Sequence, residues 1–131
     1  MRPRRIGVED ARQFWAHPSQ HVMGASPDML PGGDEFHYWA FGPVCGVFHR
    51  HIWPGVWMVH IGCKPDGWGH AAEIARAGLA AFWEDQQPES IVAWVSSRNR
   101  AVLALMRRVG FRADGVLHMP SGDVNMQSWR Q

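Results

Sequence analysis

The chain has 131 residues, the size of one domain, and 46 % of them are apolar, enough for one core. Thirteen Lys and Arg stand against twelve Asp and Glu, and the only basic cluster, Arg2, Arg4 and Arg5, lies at a terminus expected to fray, which excludes the electrostatic footprint of a nucleic-acid binder. No apolar run approaches the roughly eighteen residues of a membrane span, and MRPRRIGVED lacks an apolar signal core, so the cytoplasm is the expected address.

Glu9 to Ala16 reads as a short helix, with Glu9 and Asp10 at its start, where the helix dipole favours negative charge. Pro18 to Asp34 is rich in Pro, Gly, Ser and Asp and reads as loop. Phe36–Phe41 and Val44–His49 are candidate strands around a Gly42-Pro43 turn. After the turn Trp53-Pro54-Gly55 comes Val56–Cys63, the near-continuous apolar run of a strand buried on both faces.

The period changes after Gly69. Ala71, Ile74, Ala75, Gly78, Leu79 and Phe82 form a helical stripe, ended by Pro88. Ser90–Val95 is another buried strand. From about Asn99 a second helix turns Val102, Leu105, Met106 and Val109 inward, and Gly110 is its natural C-terminal residue. Val116–Met119 and Val124–Trp129 flank Ser121-Gly122-Asp123 as a hairpin. The order implies an α/β domain over 1–131, a mixed sheet of the α+β kind with flanking helices. Its βαβ unit makes Val56–Cys63 parallel to Ser90–Val95.

The eight Trp read as core and groove lining. Cys45 and Cys63 sit in apolar runs, where free Cys acts as a small hydrophobe. Eight histidines include His49, His51 and His60. His49 and His51 share a strand face, but no spacing matches a zinc pattern, so no metal is expected. A neutral imidazole is also a reasonable general base, beside the alternative of a surface or hydrogen-bonded structural role. Glu35 and Asp66 are candidate bases that also read as solvated loop carboxylates.

The junction Lys64-Pro65-Asp66-Gly67-Trp68-Gly69-His70 joins a buried strand to a helix through two glycines. Such a turn can be purely structural, or it can present free amides at a helix N-terminus to a phosphate. Thirty residues on, Asn99 opens a helix that closes on Gly110-Phe111. Lys64, Gly67 and Gly69, then Asn99, Leu105, Gly110 and Phe111, fall at the offsets of the GNAT (Gcn5-related N-acetyltransferase) family, which the chain resembles best over Val56–Phe111. The compact, aromatic-rich form is also similar to GNAT-like proteins encoded by bacteriophages.

The resemblance implies a GNAT-like fold with two splayed parallel strands, and acetyl transfer from acetyl-CoA to the amine of a small molecule or peptide, with no nucleic acid or membrane partner. Amides around Gly67, Trp68, Gly69 and His70 would hold the CoA pyrophosphate, beside Lys64. The pantetheine arm would enter the gap near Cys63 and meet Asn99. His60, on the strand facing the acetyl group, would be the base. The terminal hairpin can pair across a homodimer. Two departures stand out: Met106 occupies the place of the family's acidic Tyr, and the glycine loop is short if Pro65 is the family's loop proline. Both features also suit the alternative, a catalytically degenerate GNAT-like binding or structural module.

Overall fold

The computed structural model describes residues 2–18 and 30–131. Among them, strands β1 (Arg4–Ile6), β2 (His37–Phe41), β3 (Val44–Arg50), β4 (Val56–Cys63), β5 (Ser90–Ser96), β6 (Arg112–Met119) and β7 (Gly122–Trp129) form one sheet. Their order is β1-β2-β3-β4-β5-β7-β6. Only β4 and β5 are parallel; every other neighbouring pair is antiparallel. The helices are α1 (Val8–Ala11), α2 (Ala71–Gln86) and α3 (Arg100–Val109). The mixed sheet and the parallel βαβ unit expected from the sequence are both present.

Strand alternation sorts the side chains into two cores. On one face Val44, Phe48, Trp57, Val59, Ile91 and Ala93 pack against Leu79 and Phe82 of α2 and Met106 and Val109 of α3. On the other, Cys45, Val47, Tyr38 and Ala40 pack against Ala11, Phe14 and Trp15. The helix stripe read from the sequence is thus the buried stripe of α2, with Phe82 stacked on Phe48 at 3.8 Å between ring centroids. Helix α3 ends as expected on Gly110, whose φ of 112° closes the helix in the left-handed region.

Arg76 of α2 ties the two helices together. Its Nε donates to the Val109 carbonyl at 3.3 Å and its guanidinium also donates to Arg108 O, so a cation sits on the carbonyl end of α3.

Three elements differ from their expected form. The basic terminus is not frayed: Arg4–Ile6 pairs with Ala40–Tyr38, because Ile6 packs against the second core while Arg4 and Arg5 stay exposed. The first helix is shorter, Val8–Ala11, and tightens into a 3-10 turn over Arg12–Trp15 that buries Phe14 and Trp15. The hairpin strands are longer, Arg112–Met119 and Gly122–Trp129, with a register shift between Ala113 and Gly115. Of the loop read over Pro18–Asp34, residues 19–29 lie outside the described residues.

Candidate active site

β3 pairs with β4 along its whole length, from Val44↔Cys63 to Arg50↔Trp57. β7 pairs with β5 from Ile91↔Trp129 to Ser96↔Val124. Between them, β4 and β5 pair only at Val56↔Ser90, Trp57↔Ile91 and Met58↔Val92. Beyond that point each strand keeps its outer partner, so the sheet splits rather than ends. Among the described residues, the facing edges of Val59–Cys63 and Ala93–Ser96 have no strand partner. Buried backbone groups need partners, so an open gap of this kind is a place for a ligand's own amides and carbonyls.

The gap is a cavity of about 370 Å³. Val59, Ile61 and Cys63 form one wall, and Ala93, Trp94 and Val95 the other. Ala71 of α2 and Val102, Leu105 and Met106 of α3 floor it. Among the described residues that line it, His60 and Asn99 are the uncharged polar side chains apart from the ring nitrogens of Trp68 and Trp94 and the thiol of Cys63. Arg108 is the one permanent charge, and no carboxylate contributes.

His60 belongs to the Met58–His60–Gly62 side of β4, opposite α2 and α3, and it reaches the gap. Its ring lies parallel to that of His49, 5.9 Å between centroids. Part of the ring is open to solvent, yet the walls desolvate it. That desolvation first, and the charge of His49 second, lower its pKa below 6.5. His60 is therefore a neutral imidazole near pH 7. β3 ends at Arg50, so His51, expected to share a strand face with His49, lies just beyond the strand, where it meets Trp94 edge-on at 5.4 Å between ring centroids.

Asn99 caps α3. Its Oδ1 accepts from the Val102 N–H at 3.3 Å, which leaves Nδ2 as the donor for the cavity it lines. Met106 is buried and also lines the cavity, so the position where the resemblance calls for Tyr carries no proton donor. Cys63 lines the gap as well. Burial first, and Asp66 second, push its thiol up to about 11, so it stays protonated and unreactive.

The glycine junction takes a different form from the expected open loop. Pro65–His70 is a 3-10 helix that runs into α2, and neither glycine has positive φ. Bonds from i to i+3, such as Gly67 N–H to Lys64 O at 2.9 Å, use amides that the sequence leaves free. Gly67 is glycine because Pro43 lies against it: a Cβ there would sit 2.2 Å from Pro43 Cγ. Gly69 differs, with nothing within 4 Å of an added Cβ. Lys64 extends its ammonium over the Phe14 ring, 4.7 Å from the centroid. Trp68 lines the cavity, is half exposed, and donates from Nε1 to the Cys63 carbonyl at 3.3 Å, the last carbonyl of β4.

Cys63, Trp68, Asn99 and His60 therefore converge on one cavity. Lys64, Gly67, Gly69 and His70 do not line it. Glu35 and Asp66 do not line it either; Glu35 folds back over Gly33. Among the described residues no group of three or more His, Cys, Asp or Glu converges on a metal position. Trp94 escaped the sequence reading. Alternation along Ser90–Val95 puts it opposite Ala93 and Val95, and that is the signal that would have found it.

The family model described as Acetyltransferase (GNAT) domain matches residues 35–112. No curated protein matches the chain. Among solved structures, an acetyltransferase of the GNAT family from Bacillus anthracis superposes with a TM-score of 0.72 at 17 % identity, over 97 % of this chain and 92 % of that one. The aminoglycoside acetyltransferase AAC(6')-Ib in complex with coenzyme A does so with a TM-score of 0.75 at 13 % identity, over 99 % and 94 %. The ribosomal-protein-S5-alanine acetyltransferase from Vibrio fischeri gives 0.67 at 14 % identity, over 97 % and 91 %.

Proposed function

The chain belongs to the GNAT acetyltransferase family, and on that premise we propose that it transfers an acetyl group from acetyl-CoA to an amine. The observation that carries this reading is the β4–β5 gap: two strand edges without partners, an apolar cavity of about 370 Å³ between them, and a helix that opens on Asn99 beside it. These features fit the donor. A pantetheine arm carries amides that the free edges can pair, and the open space at Gly69 lets a phosphate approach.

Bound acetyl-CoA supplies the thioester whose carbon is attacked and whose sulfur leaves. The chain does the rest. The free edge of β4 holds the arm and offers an N–H to the acetyl oxygen. Asn99 donates from Nδ2 to the arm or the sulfur. Gly67, Trp68, Gly69 and His70, with Lys64, border the phosphate end. His60, neutral near pH 7, takes the proton from the amine directly or through water. Holding both reactants in the gap supplies much of the rate. Thiol release from acetyl-CoA across a panel of amines tests the reading. Amine-dependent release that drops about 100-fold in His60→Gln supports it, and its absence with every amine counts against it.

A second reading has observations of its own. Buried Met106 cannot protonate a leaving thiolate, and the 3-10 turn withdraws amides from the phosphate approach. A GNAT-like binding module that holds a ligand without turning it over suits both. Binding of acetyl-CoA with no amine-dependent thiol release selects this reading. Cytoplasmic location, action as one domain, and pairing of two copies through the β6 edge remain parts of the proposal. Among the described residues no helix is long and apolar enough to cross a membrane.

A further inference from the structure

Resting on the acetyl-transfer reading, we propose that the acceptor is a neutral aromatic amine, held against His60 and Trp94 on the open face of the β4–β5 gap. Both side chains line the cavity and both stand on the sheet face opposite α2 and α3. Each is backed by further rings. His60 lies parallel to His49, which in turn contacts Phe36 at 5.5 Å. Trp94 is held edge-on by His51 at 5.4 Å and still exposes 38 % of its surface. An indole fixed at its edge and open elsewhere is a stacking platform for a flat ring.

Charge decides the state of the amine. Among the described residues, no carboxylate lines the cavity, and the permanent charge there is the guanidinium of Arg108. The groups acting on His60 tell the same story: burial and His49 both lower its pKa, and no acid raises it. An alkylammonium entering here would shed water and find no counter-charge, only Arg108 and imidazoles whose own protonation repels it. Cation–π contact could compensate only in part: of the two Trp that line the gap, Trp94 has His51 against its ring, and Trp68 has His17 against its ring and its Nε1 on the Cys63 carbonyl. An arylamine arrives uncharged and pays no such cost.

The weak base also fits. The arylamine nitrogen forms the C–N bond with its lone pair. The C–S bond breaks, and sulfur keeps that electron pair. One N–H proton passes to His60 or to water and then to sulfur, leaving an anilide and a free thiol. The nitrogen becomes strongly acidic once the C–N bond forms, so a base of low pKa suffices.

Saturation-transfer NMR on the full chain, free and with CoA added, tests this with para-anisidine, benzylamine and kanamycin as probes. Para-anisidine should bind about tenfold more tightly than benzylamine, because both bring one ring to Trp94 and only benzylammonium must be desolvated as a cation. Kanamycin should show no contact. Trp94→Ala should weaken para-anisidine about tenfold while Trp94→Phe keeps it. Tighter binding of kanamycin or benzylamine, equal binding of the two monoamines, or para-anisidine binding unchanged in Trp94→Ala overturns the proposal. The wild-type comparison of the two monoamines stands even if Trp94→Ala does not fold. CoA binding, followed separately by calorimetry, tests the acetyl-transfer reading: loss of CoA binding with arylamine selectivity intact sinks only that reading, and the reverse outcome sinks only the acceptor class.

Discussion

Met58 stands opposite Val92 in the last pair that joins β4 to β5. One residue further along each strand, Val59 and Ala93 already face each other across the cavity. The sheet opens there while both outer neighbours stay fully paired, so the gap is framed by rigid edges. Rigid edges hold a ligand in one orientation, which is the requirement for catalysis by positioning.

The two glycines of the 3-10 segment should respond differently to the same change. Gly67→Ala drives a methyl into Pro43 and should cost about 1–3 kcal/mol of stability, the range for overpacking a core site. Gly69→Ala meets nothing and should leave stability within about 0.5 kcal/mol. Urea unfolding of both variants measures this. Gly69→Asp should fold normally and still weaken acetyl-CoA binding about tenfold or more, because it sets a carboxylate against the phosphates.

Arg76→Ala removes the guanidinium from the Val109 and Arg108 carbonyls at the end of α3. The group is partly exposed, so the loss should be about 1 kcal/mol. Arg76→Lys should recover little, since an ammonium cannot span both carbonyls as a planar fork does. Thermal melts of the three proteins give the comparison.

Cys45 is fully buried, and burial pushes its thiol up to about 12 from an ordinary 9. The unfolded chain therefore releases this proton first as the pH rises. The contribution of Cys45 is fully present below about pH 9 and falls away above it, by up to about 1.4 kcal/mol per pH unit. Cys45→Ala should flatten that alkaline decline while lowering stability at neutral pH. Urea titrations at about pH 7 and about pH 10 check both effects.

On the acid side the sign reverses. His60 has a pKa below 6.5 when folded, so the unfolded chain binds the extra proton first and stability falls as the pH drops below about 6.5. As a base, His60 works in its neutral form. Turnover on a weakly basic amine should rise with pH through a pKa below 6.5 and then level off. His60→Gln should lose that step in the profile.

Much of this was legible in the sequence. The apolar run Val56–Cys63 matches β4 residue for residue, because the Trp53–Val56 turn closes one end and the 3-10 segment from Pro65 the other, although exposed His60 shows that the strand is not buried on both faces. Gly110 and Asn99 bracket α3 through local chemistry, a left-handed closing residue and a side-chain cap. The convergence of His60 and Asn99 on one cavity follows from the topology that those elements impose. What could not be read depends on contacts far apart in the chain. Gly67 looks like a ligand-cradling glycine until Pro43, 24 residues earlier, is found pressed against it. Lys64 looks free for a phosphate until Phe14 takes its ammonium. β1 was hidden because the exposed residues Arg4 and Arg5 carry no apolar signal, and its pairing is decided by Ile6 and β2.

The most direct measurement is a calorimetric titration of acetyl-CoA into the wild-type protein and into Val102→Trp. Val102 is half buried in α3 and lines the cavity, so an indole there fills the gap without opening the core. The wild type should bind one acetyl-CoA per chain, and Val102→Trp, with an unchanged melting temperature, should give no heat. No heat from the wild type at millimolar acetyl-CoA, or full binding by a folded Val102→Trp, would contradict the β4–β5 gap as the acetyl-donor site.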